Sequence, residues 1–280
     1  MKCAHIFSIL FAIFLSLAAF ANDNDIDLQH SLVINLGDIT PDDVQIIGHV
    51  QGLLVRDDYA FVFHHGGQVL AYNLEERQFV SSFYLPGNTS HCNNASFGTK
   101  MYSSKSRFPM VYVSDCTHDG SCYVYDLYTD HAIEVQRIFL ADTPVPVECG
   151  TGWFIDENAN KLCMHWFGKV WSFRIPSKHK KIVRLSVAGK EAAGLMNTPV
   201  VHQGACAYQG YHFFPCGFAG EPTYITVNDP ASGQTWNFRT DTTVCPYEPE
   251  GVCGWDGGIY VTYSGSGRDV FLYRFEIRKK

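Results

Sequence analysis

Three observations predict an all-β chain, and more narrowly a five-bladed β-propeller closed by its N-terminal strand. Short runs rich in β-branched and aromatic residues come in groups of about four, separated by tight turn signals. A polar cluster precedes each group: His49-Val50-Gln51-Gly52, His91-Cys92-Asn93-Asn94, Glu148-Cys149-Gly150, His202-Gln203-Gly204 and Glu248-Pro249-Glu250-Gly251. The anchors Gln51, Asn93, Gly150, Gln203 and Glu250 stand 42, 57, 53 and 47 residues apart. Periods of about 40–50 residues with about four strands each are the signature of propeller blades. A double β-sandwich is the competing fold. It accounts for many short strands, but not for the recurring clusters or for a strand left over at one end.

The elements follow in order. Residues 31–36 (Ser-Leu-Val-Ile-Asn-Leu) read as an isolated strand, and the turn-rich stretch 37–43 leads to the first cluster. The first unit has strands over 53–55, 59–63, 68–72 and 78–83, with turns at Arg56-Asp57-Asp58 and His64-His65-Gly66-Gly67. The second runs through 94–97, 110–114, 122–126 and 134–140, and the third through 152–155, 161–166, 169–173 and 181–187. The fourth starts at Gly204 and continues through 211–214, 223–227 and 234–238. The fifth offers only 251–252, 259–263 and 270–277. The strand over 31–36 is expected to supply its missing outer strand, which closes the ring and leaves no open sheet end.

Residues 1–21 read as a removable secretion signal: Lys2, an apolar run over 6–20, and the small-x-small site Ala19-Phe20-Ala21 before Asn22. That run is too short for a good membrane span, and no second candidate follows. Residues 22–280 are then one propeller domain, exported to the periplasm or the extracellular space. Without the signal the chain carries 20 Lys and Arg against 28 Asp and Glu, a net charge of −8. This balance argues against a nucleic-acid partner, whose phosphates need a basic face. It leaves neutral glycans and small molecules open.

Nine of the ten cysteines lie beyond the signal. Cys116/Cys122, Cys206/Cys216, Cys149/Cys163 and Cys245/Cys253 each flank a turn or hairpin, so export makes each a candidate disulfide, with Cys92 left single. No zinc-type spacing occurs, and neither a metal nor a cofactor is expected.

In a propeller the residues that enter the innermost strands converge at one mouth of the central channel. Here they are His49, Gln51, His91, Asn93, Asn94, Glu148, His202, Gln203, Glu248 and Glu250. A ring of such groups makes a polar pocket suited to a small polar molecule or a glycan. The competing reading is that Gln, Asn and Gly at these positions only satisfy or make room for crowded inner-strand backbone. An enzyme is the alternative function: Glu148, Glu248 and Glu250 would serve as acid and base in glycan cleavage, with His91 or His202 as general bases. No G-x-S-x-G, P-loop, H-E-x-x-H or dinucleotide fingerprint supports a more specific chemistry. A protein-partner scaffold is the third possibility. Cys92 beside His91 is read as a buried or disulfide-bonded cysteine rather than a nucleophile, and His64-His65 as solvated turn residues. Asn88-Thr89-Ser90 and Asn94-Ala95-Ser96 match the N-glycosylation sequon. Most of the five tryptophans are assigned to packing between blades, with one or two as pocket walls.

Gln51-Gly52 and Glu250-Gly251-Val252, each opening a hydrophobic hairpin, resemble the blade starts of five-bladed propellers such as the plant and bacterial glutaminyl cyclases and the teichoic-acid-biosynthesis-protein-C-like group. Residues 91–98 followed by 108–114 look closer to uncharacterised exported propellers of Bacteroidetes-type bacteria. The resemblance implies the fold and assigns no catalytic residues; it adds a glutaminyl-cyclase-like activity to the glycan hydrolase or lyase as the enzyme alternative.

Overall fold

The computed structural model describes residues 26–89, 91–116, 119–142, 152–166, 168–194 and 201–280. The signal segment, Glu148, Cys149 and Gly150 lie outside the described residues. β1 (Ile26–Asn35) opens the chain. Blade 1 comprises β2 (Val50–Arg56), β3 (Tyr59–His64), β4 (Gln68–Asn73) and β5 (Gln78–Tyr84). Blade 2 begins with β6 (Ala95–Phe97), β7 (Val111–Ser114), β8 (Cys122–Leu127) and β9 (Ala132–Asp142). Then come β10 (Gly152–Asp156), β11 (Lys161–Trp166), β12 (Lys169–Arg174), β13 (Ile182–Ser186) and β14 (Ala193–Gly194). Blade 4 is β15 (Cys206–Tyr208), β16 (Tyr211–Cys216), β17 (Tyr224–Asn228) and β18 (Thr235–Arg239). Blade 5 is β19 (Glu248–Trp255), β20 (Gly258–Ser264) and β21 (Val270–Lys279).

The five sheets form a β-propeller, and β1 pairs antiparallel with β21 as the outer strand of blade 5. The expected N-terminal closure is therefore present, with a strand longer than residues 31–36. The inner strands touch in a ring: β2 meets β6, β6 meets β10, β10 meets β15, β15 meets β19, and β19 returns to β2. Burial grades outward along each blade. Every residue of β2 but its last is buried, whereas β5 alternates exposed and covered positions as an outer strand facing water on one side must. The core is a set of layers between blades, such as that of Met110, Tyr112, Trp153, Leu162 and Phe173 between blades 2 and 3. Trp153 is fully buried there and donates its indole N–H to Gly120 O at 2.8 Å. Trp171 and Trp236 are buried in such layers too, as expected for most of the tryptophans.

One strand departs from the expected order. The spacing places the run over 181–187 in the third unit, yet β13 pairs in parallel with β9 and becomes the fifth, outermost strand of blade 2. Blade 3 is completed instead by the two-residue β14 against β12. The cause is local. Pro176 follows β12 and cannot donate to a hairpin ladder. The Gln136 amide of β9 donates to Ser177 O at 2.8 Å and Lys180 O at 2.6 Å, and Arg137 N donates to Lys181 O. These bonds pull the returning chain onto the neighbouring blade and cover the β9 edge.

The expected disulfides are a second correction. None of Cys116/Cys122, Cys206/Cys216 and Cys245/Cys253 is bonded, and Cys163 is a buried thiol whose proposed partner Cys149 is not described. Register explains this. Cys122 lies opposite Ser114 rather than Cys116, Cys206 opposite Phe213, and Cys253 opposite Tyr260. Among the described residues no helix is long and apolar enough to cross a membrane.

Candidate functional site in the central channel

The inner strands converge so tightly where they begin that glycine is required. A Cβ on Gly251 would lie 2.4 Å from Leu53 N, and one on Gly204 would lie 3.0 Å from Glu250 O. The Gly following each of Gln51, Gln203 and Glu250 is thus a packing device, as the structural reading of these clusters holds. Asn94 has a similar role. Its amide donates to Trp153 O and Ala205 O, both at 2.8 Å, and its Oδ1 accepts from Ala205 N, so one side chain ties blades 2, 3 and 4. It is fully buried, as is Asn88, which removes both sequon asparagines from any modifying enzyme acting on the folded protein. His202 packs against His165 and Phe214 between blades 3 and 4, with ring centroids 5.6 Å and 5.0 Å away. Burial lowers its pKa to about 4.

The remaining predicted residues meet at this end of the channel. Gln203 donates to the Glu248 carboxylate, which also accepts from Ala219 N at 3.4 Å. Burial raises the Glu248 pKa, with Ala219, the nearby His49 and Gln203 opposing it. Glu250 is buried beside it. Burial pushes its carboxyl well above the usual range, and the Glu248 charge adds to the shift. His91 approaches His65, Nδ1 to Nδ1 at 2.8 Å, and burial together with the charges of His65 and His49 depresses its pKa. Gln51 and Asn93 are buried, and Gln51 Oε1 and Asn93 Oδ1 find no donor among the described residues. His49, Gln51, His91, Asn93, Gln203, Glu248 and Glu250 therefore gather at one end, while Asn94 and His202 are committed to joints between blades. Glu148 lies outside the described residues.

Two side readings resolve. Burial and the charges of Asp115 and Cys116 push the Cys92 thiol far up, which removes it as a nucleophile. His64 is not the solvated turn residue expected. It closes β3, is 1% exposed, and burial lowers its pKa to about 4, with the Gly48 backbone opposing the shift.

The open cavity lies at the other end, where the inner strands finish. It has a volume of about 240 Å³, and every blade contributes to its wall. Arg56 comes from blade 1, Phe97 from blade 2, Glu157 from blade 3, Tyr208 from blade 4, and Trp255 and Asp256 from blade 5. The Arg56 guanidinium lies 4.8 Å from the Trp255 ring centroid and 5.5 Å from that of Phe97, within cation–π range. Tyr208 Oη accepts from Gly257 N at 2.7 Å, which fixes one hairpin against the next blade. The turns that set this rim have positive φ at Asp57, Gln209 and Asp256, the backbone of tight primed hairpins. Sequence reasoning missed these residues. The signal was available: each directly precedes or enters the first hairpin turn of its unit, as at Tyr208-Gln209-Gly210 and Trp255-Asp256-Gly257.

Among the described residues, one buried set offers metal-ligand donors: Asp156, Cys163 and His212, whose donor atoms lie within 4.8 Å of one another. Those atoms already bond within the protein. His212 Nε2 pairs with Asp156 Oδ2 at 2.9 Å, Asp156 Oδ1 accepts from Ala159 N, and Cys163 Sγ contacts Ser172 Oγ at 3.5 Å. The set reads as a buried joint between blades 3 and 4.

No protein-family model matches the sequence, and no curated protein matches it. Similar solved structures agree on the fold. A tail fibre of Staphylococcus aureus phage P68 is 10% identical, with a TM-score of 0.58 over 96% of this chain, which spans 56% of that one. A structural genomics protein of unknown function from Bacteroides thetaiotaomicron is 10% identical, with a TM-score of 0.54 over 90% of this chain and 76% of its own. Myxococcus xanthus glutaminyl cyclase is 13% identical, with a TM-score of 0.52 over 82% of this chain and 91% of its own. The latter two meet the resemblances drawn from residues 91–98 and 108–114, to Bacteroidetes-type propellers, and from the blade starts, to glutaminyl cyclases. At these identities the likeness is one of fold.

Proposed function

We propose that this protein is an exported propeller that binds a small polar molecule, or one sugar unit of a glycan, in its central channel. The observation that carries the reading is the cavity of about 240 Å³ at the axis, to which all five blades contribute. Its aromatic faces at Phe97, Tyr208 and Trp255 suit the apolar side of a sugar ring, and Arg56, Glu157 and Asp256 supply directed polar contacts. The volume falls below the roughly 300–1,000 Å³ of pockets for drug-sized ligands, which favours a single compact unit. A thermal-shift screen of the full chain against monosaccharides and small polar amides tests it. A ligand at a hundredfold excess over Kd stabilises the native state by about 2.7 kcal/mol. Loss of that shift in a folded Trp255→Ala variant is the expected result. An undiminished shift there rejects the site, and no shift with any compound favours a protein-partner scaffold.

A second reading rests on Glu248, which is partly exposed at the packed end, with Glu250 buried beside it; burial holds both carboxyls above the usual range. Such a pair suits acid–base chemistry in a glycan hydrolase or lyase, or in a cyclase acting on N-terminal glutamine. The expected outcome is turnover of polysaccharide or glutaminyl peptide that disappears in Glu250→Gln. Activity retained in that variant rules this reading out.

A further inference from the structure

The exchanged strand creates a groove that the channel reading leaves unused. It lies between blades 2 and 3 and has a volume of about 710 Å³. Lys100, Arg174, Lys178, Lys180 and Arg184 line it, and among the described residues no Asp or Glu does. The asymmetry is written in the sequence. Residues 158–190 hold eight of the chain's 21 Lys and Arg and not one of its 28 acidic residues. Elsewhere 13 Lys and Arg face all 28 acids, so a cationic patch sits on a strongly anionic molecule.

The cations are not spent on internal neutralisation. Among the described residues Arg174, Lys180 and Arg184 enter no ion pair. The wall that carries them is held in place. Gln136 clamps the turn through Ser177 O and Lys180 O, and Lys178 Nζ donates to Met101 O at 3.0 Å and Tyr102 O at 2.7 Å. The floor is apolar, from Met110, Tyr112, Val183 and Leu185. Fixed cations above an apolar floor suit a ligand with several anionic groups on a body that has apolar faces. The anionic remainder of the surface repels long polyanions that overrun the groove, which restricts the ligand to a short one.

We propose that this groove is a second binding site, for a short glycan carrying several carboxylate or sulfate groups. Titration calorimetry on the full chain, at low and raised salt, tests it with five probes: a galacturonate hexamer, a sulfated hexasaccharide, a neutral glucose hexamer, inorganic phosphate and a six-nucleotide single strand. The expected result is binding of a charged hexasaccharide that weakens with salt, with none of the neutral one. Carboxylate and sulfate ligands are told apart by which hexamer binds more tightly. Replacing Arg174, Lys180 and Arg184 together by Gln removes three exposed contacts and is expected to weaken binding about tenfold. Trp255→Ala leaves this binding unchanged, which separates it from the channel site. If the triple variant fails to fold, Lys180→Gln alone is expected to reduce the salt dependence. Four results overturn the proposal: no binding of either charged hexamer, equal binding by the charge-depleted variant, phosphate binding as tight as a hexamer, or tighter binding of the oligonucleotide.

Discussion

At the end where its inner strands begin, the channel is packed with buried polar groups. At the end where they finish, it is a cavity rimmed by rings and charges. Both ends are set by the same five inner strands, and the residues that mark them stand four or five positions apart along the chain. At the first end Gly52, Gly204 and Gly251 let backbones close on one another, and Gln51, Asn93 and Glu250 are sealed inside. At the second end larger side chains, Arg56, Phe97, Tyr208 and Trp255, line the wall of a cavity. The contrast teaches that convergence of polar residues on an axis is not by itself a binding site. Crowded inner strands need small and hydrogen-bonding residues, while a ligand needs space.

The sharpest way to break this comparison is Gly251→Ala. The new Cβ would meet Leu53 N at 2.4 Å and Gly52 C at 2.5 Å, and both are backbone atoms that no side-chain rotation can move. A loss of about 4 kcal/mol or outright failure to fold is expected, beyond the usual overpacking range. Denaturant unfolding of the variant measures it. A loss under about 1 kcal/mol would mean that the packed end is loose enough to admit a ligand, and the contrast would vanish.

How much of this was legible beforehand follows from what each residue answers to. The blade count and the N-terminal closure were readable because hydrophobic spacing and turn chemistry are local. The packed end was readable as a position: His49, His91, Gln203, Glu248 and Glu250 do come together. Its character was not, because whether a polar residue lines a cavity or fills one depends on how closely five strands approach. The Asn94 joint and the His202 packing depend on partners up to 111 residues away, as the Asn94–Ala205 bond shows. Three of the four candidate disulfides are absent for reasons of register, which cysteine spacing does not fix. The strand exchange failed on the Gln136 clamp, a contact between residues 41 and 44 positions apart that no turn signal announces.

Histidines offer the next test, since those with a pKa near 4 belong to the packed end and its neighbouring joint. His64 and His202 take a proton near pH 4 when folded and near 6.5 when unfolded. Stability from each is complete above about pH 6.5 and is withdrawn as pH falls toward 4, by about 3 kcal/mol per residue. Glu250 acts in the opposite sense: its raised folded pKa withdraws stability as pH rises above the ordinary carboxylate range. Chemical denaturation between pH 4 and 7 should show a steep acid loss in the wild type that flattens in His64→Gln/His202→Gln. An unchanged slope in the double variant would show that these rings are hydrated, and the packed end with them.

The smallest effect is expected at the open end. Trp255 is half-buried, and the Arg56 guanidinium lies 4.8 Å from its ring centroid. Exposed cation–π contacts contribute about 0.5–1 kcal/mol. Trp255→Ala should therefore lower stability by about 1–2 kcal/mol, once some lost apolar contact with the blade 1 layer is included. A double-mutant cycle with Arg56→Ala should return a coupling of about 0.5–1 kcal/mol between the two. Strand contacts at the packed end have no such latitude, so the ratio of the Gly251→Ala loss to the Trp255→Ala loss measures how differently the two mouths are built. Should Trp255→Ala cost as much as Gly251→Ala, the open end is holding the propeller together. Its cavity would then be a by-product of packing rather than room kept for a ligand.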